Sequence, residues 1–409
     1  MKVVHITTTD YGGAYKAAVR ISESMQMCGV DSEILLRTKT HDDTTGTEVL
    51  KNIVQKVLSK TKNLINLFLS EGGLTTDHLG TNISKHPLVK NADVIVLHWV
   101  SSFISYKNVE QLIKLKKPII WVLHDMWLFT GGCHYDLYCG QYAKECLNCQ
   151  YVRSKWKRKL VSYDFKIKKK ILAESDLTLV MPSTWMLRCA DQSLITKRLK
   201  KIVIPNPIDK KEFFKDSKKN SFLKQYGLAE STNIILFGAM NATTNPYKGF
   251  QYLKNALQMA DKETWVLVVF GNDNSTKLEK NIGTIPVLYL GMVNETSKLN
   301  KIYNTADVFV APSKQENYAN SVLEAMSCGI PTVAFDVGGM SDLIAHKESG
   351  YLAKYGDAAE LLNGIEYCIA NRDRLSENAL LTRKECNSMT VIGEKYRQIC
   401  IDILGKQEK

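Results

Sequence analysis

The stretch Asp307-Val308-Phe309-Val310-Ala311-Pro312-Ser313-Lys314-Gln315-Glu316-Asn317-Tyr318-Ala319-Asn320-Ser321-Val322-Leu323-Glu324-Ala325-Met326 reads as strand, loop and helix in succession. Val308 to Ala311 is an unbroken apolar run, as expected of a strand covered on both faces of a parallel sheet. Asn320 or Ser321 is placed to cap the helix that carries Glu324. Glu316 falls in the preceding loop, at the sheet edge. Two carboxylates then stand about one ligand length apart and flank the backbone N–H groups of a helix start. Such a turn suits a nucleotide sugar, with N–H groups on the diphosphate and carboxylates on the sugar and ribose hydroxyls. On spacing alone, a solvated loop glutamate and an ordinary helix glutamate fit equally well.

Outward from this unit the pattern repeats. Short β-branched runs fall at 3–6, 32–37, 93–99, 118–125, 177–183 and 201–206, then at 233–239, 265–271, 286–291, 307–313, 331–336 and 350–353, with helix-like stretches between them. Strand–helix alternation implies βαβ units, and 409 residues exceed one ordinary core. The expectation is α/β, two Rossmann-like domains facing a cleft. Residues 1–205 form the first domain and 233–385 the second. A hinge at 206–232 opens with Pro205-Asn206-Pro207, and a last helix of about 386–409 packs back on the first domain.

Composition narrows the class. Hydrophobic content of 44% and charge content of 23% suit a globular chain. No secretory leader and no long uninterrupted apolar run are evident, so a cytoplasmic location is expected and disulfides are not. The net charge of +12 is uneven. Residues 1–205 hold 30 Lys+Arg and 18 Asp+Glu, while the remainder holds 24 of each. An anionic partner for the first half follows, such as a membrane surface or an acidic glycan; nucleic acid is disfavoured because no recognised module accompanies the charge.

Four further features carry chemistry. Asp10-Tyr11-Gly12-Gly13 follows the first strand and opens a helix, as a ligand-approach turn or simply a tight connection; full dinucleotide spacing is lacking. His124 and Asp125 end the strand Trp121-Val122-Leu123, at the edge where open α/β sheets bind ligands. Cys133, Cys139, Cys146 and Cys149, with His134 beside the first, read as a structural zinc site, reduced buried thiols, or a redox group. Finally, residues 153–170 hold nine Lys/Arg, including Lys168, Lys169 and Lys170. Residues 51–69 alternate Lys51, Lys56, Lys60 and Lys62 with apolar side chains. Both stretches read as interfacial helices or as solvated helix faces over the core.

Taken together, these motifs resemble family-4 retaining glycosyltransferases of the GT-B fold. Glu316 and Glu324 form an E-x7-E pair followed by Ala325-Met326, Gly329, Pro331 and Gly338-Gly339. Trp121-Val122-Leu123-His124-Asp125-Met126-Trp127, with Phe129-Thr130-Gly131-Gly132-Cys133-His134-Tyr135, looks like a bacterial subgroup that builds capsules, O-antigens and exopolysaccharides. The resemblance implies that Glu316 binds donor-sugar hydroxyls and Glu324 the ribose. It puts the amides around Ala319, Asn320 and Ser321 on the diphosphate and His124, with Asp125 next to it, beside the sugar. Gly12-Gly13 would close over the phosphates, and Lys248 would be the phosphate-binding lysine. It further implies a UDP- or GDP-linked donor, a glycan or lipid-linked acceptor, work at the inner membrane face, and no cofactor or metal for the chemistry. One departure stands out. The family's arginine after Gly238 is replaced by Ala239-Met240-Asn241, with Lys314 the candidate substitute. A nucleotide-sugar epimerase or hydrolase and a non-catalytic glycan-binding protein are the rival readings on the same architecture.

Overall fold

The computed structural model describes residues 1–41, 44–50, 53–71, 73–216, 219–271 and 279–407. The chain divides into two compact units. One is Met1–Pro207 with the returning helix Met389–Gln407; the other is Ile208–Ser388.

The first unit is built on a seven-stranded sheet. Its strands are β1 (Lys2–Thr7), β2 (Asp31–Leu36), β3 (Thr47–Glu48), β4 (Val94–Leu97), β5 (Ile119–Val122), β6 (Thr178–Met181) and β7 (Lys200–Val203), in the order β3-β2-β1-β4-β5-β6-β7. Every pairing is parallel. Strand order reverses between β1 and β4, which opens a crevice at the carboxyl ends of those strands. Val94–Leu97 and Ile119–Val122 are buried along their whole length, which explains their unbroken apolar sequence.

The second unit repeats the plan with β8 (Asn233–Gly238), β9 (Trp265–Phe270), β10 (Asn281–Ile282), β11 (Ile285–Tyr289), β12 (Val308–Ala311), β13 (Thr332–Phe335) and β14 (Gly350–Ala353). Their order is β10-β11-β9-β8-β12-β13-β14, parallel except for the edge pair β10–β11. Here the reversal lies between β8 and β12. Asp307 anchors the start of β12. Its buried carboxylate accepts from Lys219 Nζ at 2.7 Å, Arg372 Nη1 at 2.6 Å and the backbone N–H of Ile234 at 2.7 Å. Three charge-assisted or backbone donors satisfy the anion, without which its burial would be costly.

The stretch expected as a separate linker at 206–232 is grouped with the second unit from Ile208 onward. There Phe213 and Leu223 are each 1% exposed. The polar composition of 206–232 concealed a few large apolar anchors; residues 217 and 218 lie outside the described ones. At the other end, the helix Met389–Gln407 buries Ile392, Tyr396 and Cys400 in one cluster with Ile21, Met25 and the strand residues Val94 and Val96. The two short strands Thr47–Glu48 and Asn281–Ile282 were invisible to periodicity because two residues carry no period.

Candidate functional site

In the second unit the turn after β12 gathers the expected residues. The helix Asn320–Ser327 begins with Ala319 as its N-cap, and no side chain caps it. The capping role expected of Asn320 or Ser321 is therefore wrong. Both lie inside the first helical turn, whose N–H groups carry the positive end of the helix dipole. Glu316 is buried in the loop, and its Oε1 accepts from Lys248 Nζ and from Ser313 Oγ, the latter at 3.0 Å. Glu324, one turn into the helix and 3% exposed, accepts from the Tyr303 hydroxyl at 3.1 Å.

Lys248 comes to Glu316 because the loop after β8 lies directly on the loop after β12. Lys314 N donates to Tyr247 O at 2.9 Å. Gly249 opens the helix Phe250–Gln258 with φ 72°, and a Cβ there would sit 1.8 Å from the Pro312 carbonyl oxygen. Only glycine permits this approach and this dihedral together. The Lys248 side chain is 31% exposed, so its ammonium can meet a ligand anion while Glu316 holds it in place. Lys314 lies alongside through its backbone contact with Tyr247. Tyr303 and Ser313 escaped the sequence reading, since neither belongs to a local pattern and Tyr303 reaches Glu324 only through helix packing.

In the first unit Gly12 and Gly13 begin the helix Gly12–Met27, with φ 86° at Gly12. Asp10 does not point to a ligand. It binds the loop beyond β2, accepting from Thr40 N at 2.6 Å, Thr40 Oγ1 at 2.6 Å and His41 N at 2.9 Å. Burial alone would raise its carboxyl, but these donors outweigh that and hold it below the ordinary range.

His124 lies two residues beyond the end of β5 and belongs to a histidine ladder along the neighbouring strands β1, β4 and β5. His124 Nε2 lies 2.9 Å from His98 Nδ1, and His98 Nε2 lies 2.8 Å from His5 Nδ1, with the rings stacked at 5.2 and 5.1 Å. Burial lowers His124 to about 4 and His5 to about 3, and His98 is lowered well below its ordinary value. His124 is thus a neutral imidazole near pH 7, suited to hydrogen bonding and not to supplying charge. Asp125 turns to the side instead. It accepts from Trp127 N at 2.9 Å and pairs with His134 Nδ1 at 2.6 Å. His134 Nε2 lies 2.9 Å from Thr75 Oγ1, which is 3.0 Å from Ser101 Oγ. Burial works against both charges of the Asp125–His134 pair, yet their attraction wins, leaving Asp125 lowered and His134 raised. Trp99, Ser101, His124, Asp125 and Trp127 line one small pocket in this unit. His134 and Thr75, which orient its polar side, were not among the expected site residues.

The four cysteines are free thiols, with Cys146 and Cys149 buried. Among the described residues, no group of three or more His, Cys, Asp or Glu is arranged to hold a metal ion. Burial pushes Cys133 up and Cys146 up to about 11, and the neighbouring thiols add to both shifts. The basic stretch also needs one correction. Lys168 is 3% exposed; its ammonium donates to Trp127 O at 2.5 Å and Thr130 O at 3.2 Å and lies 3.9 Å from the Trp127 ring centroid. Burial lowers it to about 8. It pins the turn next to Asp125 and cannot belong to a docking face. Lys51 lies outside the described residues.

Comparison with known proteins now adds to this geometry. Residues 231–371, which lie within the second unit, match the family described as glycosyl transferases group 1. An uncharacterized glycosyltransferase of Haemophilus influenzae is 27% identical over 183 residues, covering 43% of this chain and 51% of that protein. An uncharacterized 41.2 kDa protein in the cps region of Klebsiella pneumoniae is 26% identical over 226 residues, covering 54% and 59%. The chain thus spans about half the length of these curated relatives. Among solved structures, sucrose-phosphate synthase from Thermosynechococcus elongatus superposes with a TM-score of 0.70 at 16% identity, covering 99% of each chain. Anabaena HepE in complex with UDP-glucose superposes with a TM-score of 0.64 at 16% identity, covering 98% of this chain and all of that one. At such identities the likeness concerns the fold, which is the GT-B fold of two Rossmann-like domains.

Proposed function

We propose that the protein is a glycosyltransferase that moves a sugar from a nucleotide-activated donor to a glycan or lipid-linked glycan, with retention at the anomeric carbon. The observation that carries this reading is the turn after β12. There Glu316 holds Lys248, Tyr303 holds Glu324, and an uncapped helix start lies between the two carboxylates. In this reading Glu324 takes the ribose, the first-turn amides take the diphosphate, and Glu316 takes hydroxyls of the donor sugar. Lys248 offsets the negative charge that grows on the departing diphosphate. The acceptor hydroxyl attacks from the face the leaving group vacates, and its proton passes to the departing phosphate oxygen. Neutral His124 offers a hydrogen bond to a sugar hydroxyl. The likeness to a protein of a cps region supports a place in surface polysaccharide synthesis, and the basic charge of residues 1–205 supports work at an anionic membrane face. UDP is the first nucleotide to test because HepE was solved with UDP-glucose.

The test is calorimetry against UDP, GDP and ADP, followed by a nucleotide-sugar screen with a lipid-linked acceptor pool and product detection by mass. One nucleotide should bind. Glu316→Ala should keep that binding but lower turnover by about a hundredfold or more, because it removes contacts made at the reacting end. Wild-type turnover in the variant, or no nucleotide binding by the parent chain, would refute the assignment.

A further inference from the structure

The helix Ile53–Leu69 is mounted with its polar face inward. Its buried side chains are Ser59 and Asn66. Asn66 Nδ2 donates to Leu79 O at 2.9 Å, Leu79 N donates to Asn66 Oδ1 at 3.2 Å, and Lys62 Nζ donates to Gly80 O at 3.0 Å. Val54, Val57, Leu58, Leu64, Ile65 and Phe68 recur at helical spacing on the opposite side and are between 44% and 70% exposed. Surface helices are ordinarily held by burying such a stripe. Here hydrogen bonds hold the helix, and the stripe is left to face something outside the chain. A patch of this kind with a charged rim marks an interaction surface.

The surroundings specify the occupant. Phe68 abuts Trp156 of the basic helix Lys155–Ala173, with ring centroids 6.2 Å apart. Lys157 Nζ lies 5.6 Å from the Phe68 ring and 5.5 Å from that of Trp156. Trp156 and Tyr163 are 49% and 55% exposed. The apolar helix carries no acid; Lys62 is turned to Gly80 O and Lys56 pairs with Glu48 at 3.0 Å, while Lys60 stands exposed. The single acid of the basic helix, Asp164, is fully buried; Lys157 and Lys169 pair with Glu71 and Glu145 at 4.0 and 2.9 Å, and Lys155, Lys159, Lys166 and Lys170 stay exposed. A second copy of the chain would set one cationic rim against another, which is unfavourable. An apolar centre, a cationic rim and aromatic side chains at the edge match the layers of an anionic bilayer surface.

We propose that this face docks in the interfacial layer of an anionic membrane, with the helix Ile53–Leu69 lying along the surface and its apolar stripe inserted. The charge split alone implied only long-range attraction; the exposed stripe adds insertion, and with it resistance to salt. Among the described residues no helix is long and apolar enough to cross a membrane, so the contact is parallel to the surface. This deepens the reading of a lipid-linked acceptor, but its test does not use the donor site.

The experiment is co-sedimentation of the full chain with phosphatidylcholine vesicles, with and without phosphatidylglycerol, at low and high salt. Wild type should bind the phosphatidylglycerol vesicles and retain part of that binding at high salt. Leu64→Asp/Phe68→Asp changes only exposed positions, so the melting temperature should hold while partitioning falls by about tenfold or more at both salts. Lys155→Glu/Lys159→Glu should lose a similar factor at low salt and little at high salt. UDP calorimetry on the same samples should match wild type; if UDP fails to bind while vesicles do, the donor reading falls and this one stands. Wild-type partitioning by Leu64→Asp/Phe68→Asp, or no vesicle binding by wild type, overturns the proposal. So does a wild-type dimer that this variant splits, because a second copy would then be the occupant.

Discussion

Gly338→Ala is the substitution that most directly tests how the donor turn is held. Gly338 follows β13 with φ +60°, and a Cβ built there would lie 1.9 Å from the Glu316 carbonyl oxygen. The next residue secures the same oxygen, Gly339 N donating to it at 2.9 Å. Because Cβ atoms do not come closer than 3.0 Å to such an atom, the Glu316 backbone must retreat by at least 3.0 − 1.9 = 1.1 Å. That distance exceeds what the hydrogen bonds of Glu316 to Lys248 and Ser313 tolerate. The left-handed backbone costs alanine about 1 kcal/mol relative to glycine, and loss of the Gly339 bond costs about 1 kcal/mol more. Together, about 2 kcal/mol should lower the melting temperature by roughly 4–8 °C for a unit of this size. Gly356→Ala is the control, since it has φ +79° with no atom nearer than 4.0 Å and so carries the dihedral cost without the collision. The assay is scanning calorimetry with UDP titration and donor turnover. Gly356→Ala should melt slightly low and work normally, while Gly338→Ala should melt lower still and lose turnover. Identical behaviour of the two variants would refute the claim that Gly338 positions Glu316.

Two other outcomes follow from the first unit. The His134 midpoint lies above its ordinary 6.5, so its contribution to stability is complete below that pH and fades as pH rises through the folded midpoint. That of Asp125, lowered from 3.8, is complete above that value and fades on acidification. Asp125→Asn should move the His134 midpoint down, read by NMR of ¹³C-labelled histidine across pH, and an unmoved midpoint would show that the pair is not coupled. Purified protein should contain far less than one zinc equivalent, and its melting temperature should not respond to chelator; about one retained equivalent lost together with stability would refute the thiol reading.

The apolar runs, the Pro-Asn-Pro junction and the strand–loop–helix around Glu316 were legible because each depends on local chemistry. Backbone burial on both faces demands a continuous apolar strand, and a restart of the pattern demands a second sheet. The same locality made Glu316, Glu324 and His124 visible as polar residues near strand ends and helix starts, whereas Lys248 came only from the family resemblance. What local sequence could not hold was the partner of each group. Tyr303 meets Glu324, and Thr75 meets His134 across 59 residues, only once helices and loops have packed. Asp125 serves His134, Asp10 serves a neighbouring loop, and Lys168 holds a buried turn, although all three read in sequence as ligand-facing or solvated charges. The helix Ile53–Leu69 shows the limit most clearly. Its periodicity defines an apolar face and a polar face, but which of them meets the protein depends on the carbonyls of Leu79 and Gly80, a contact that exists only in the folded chain.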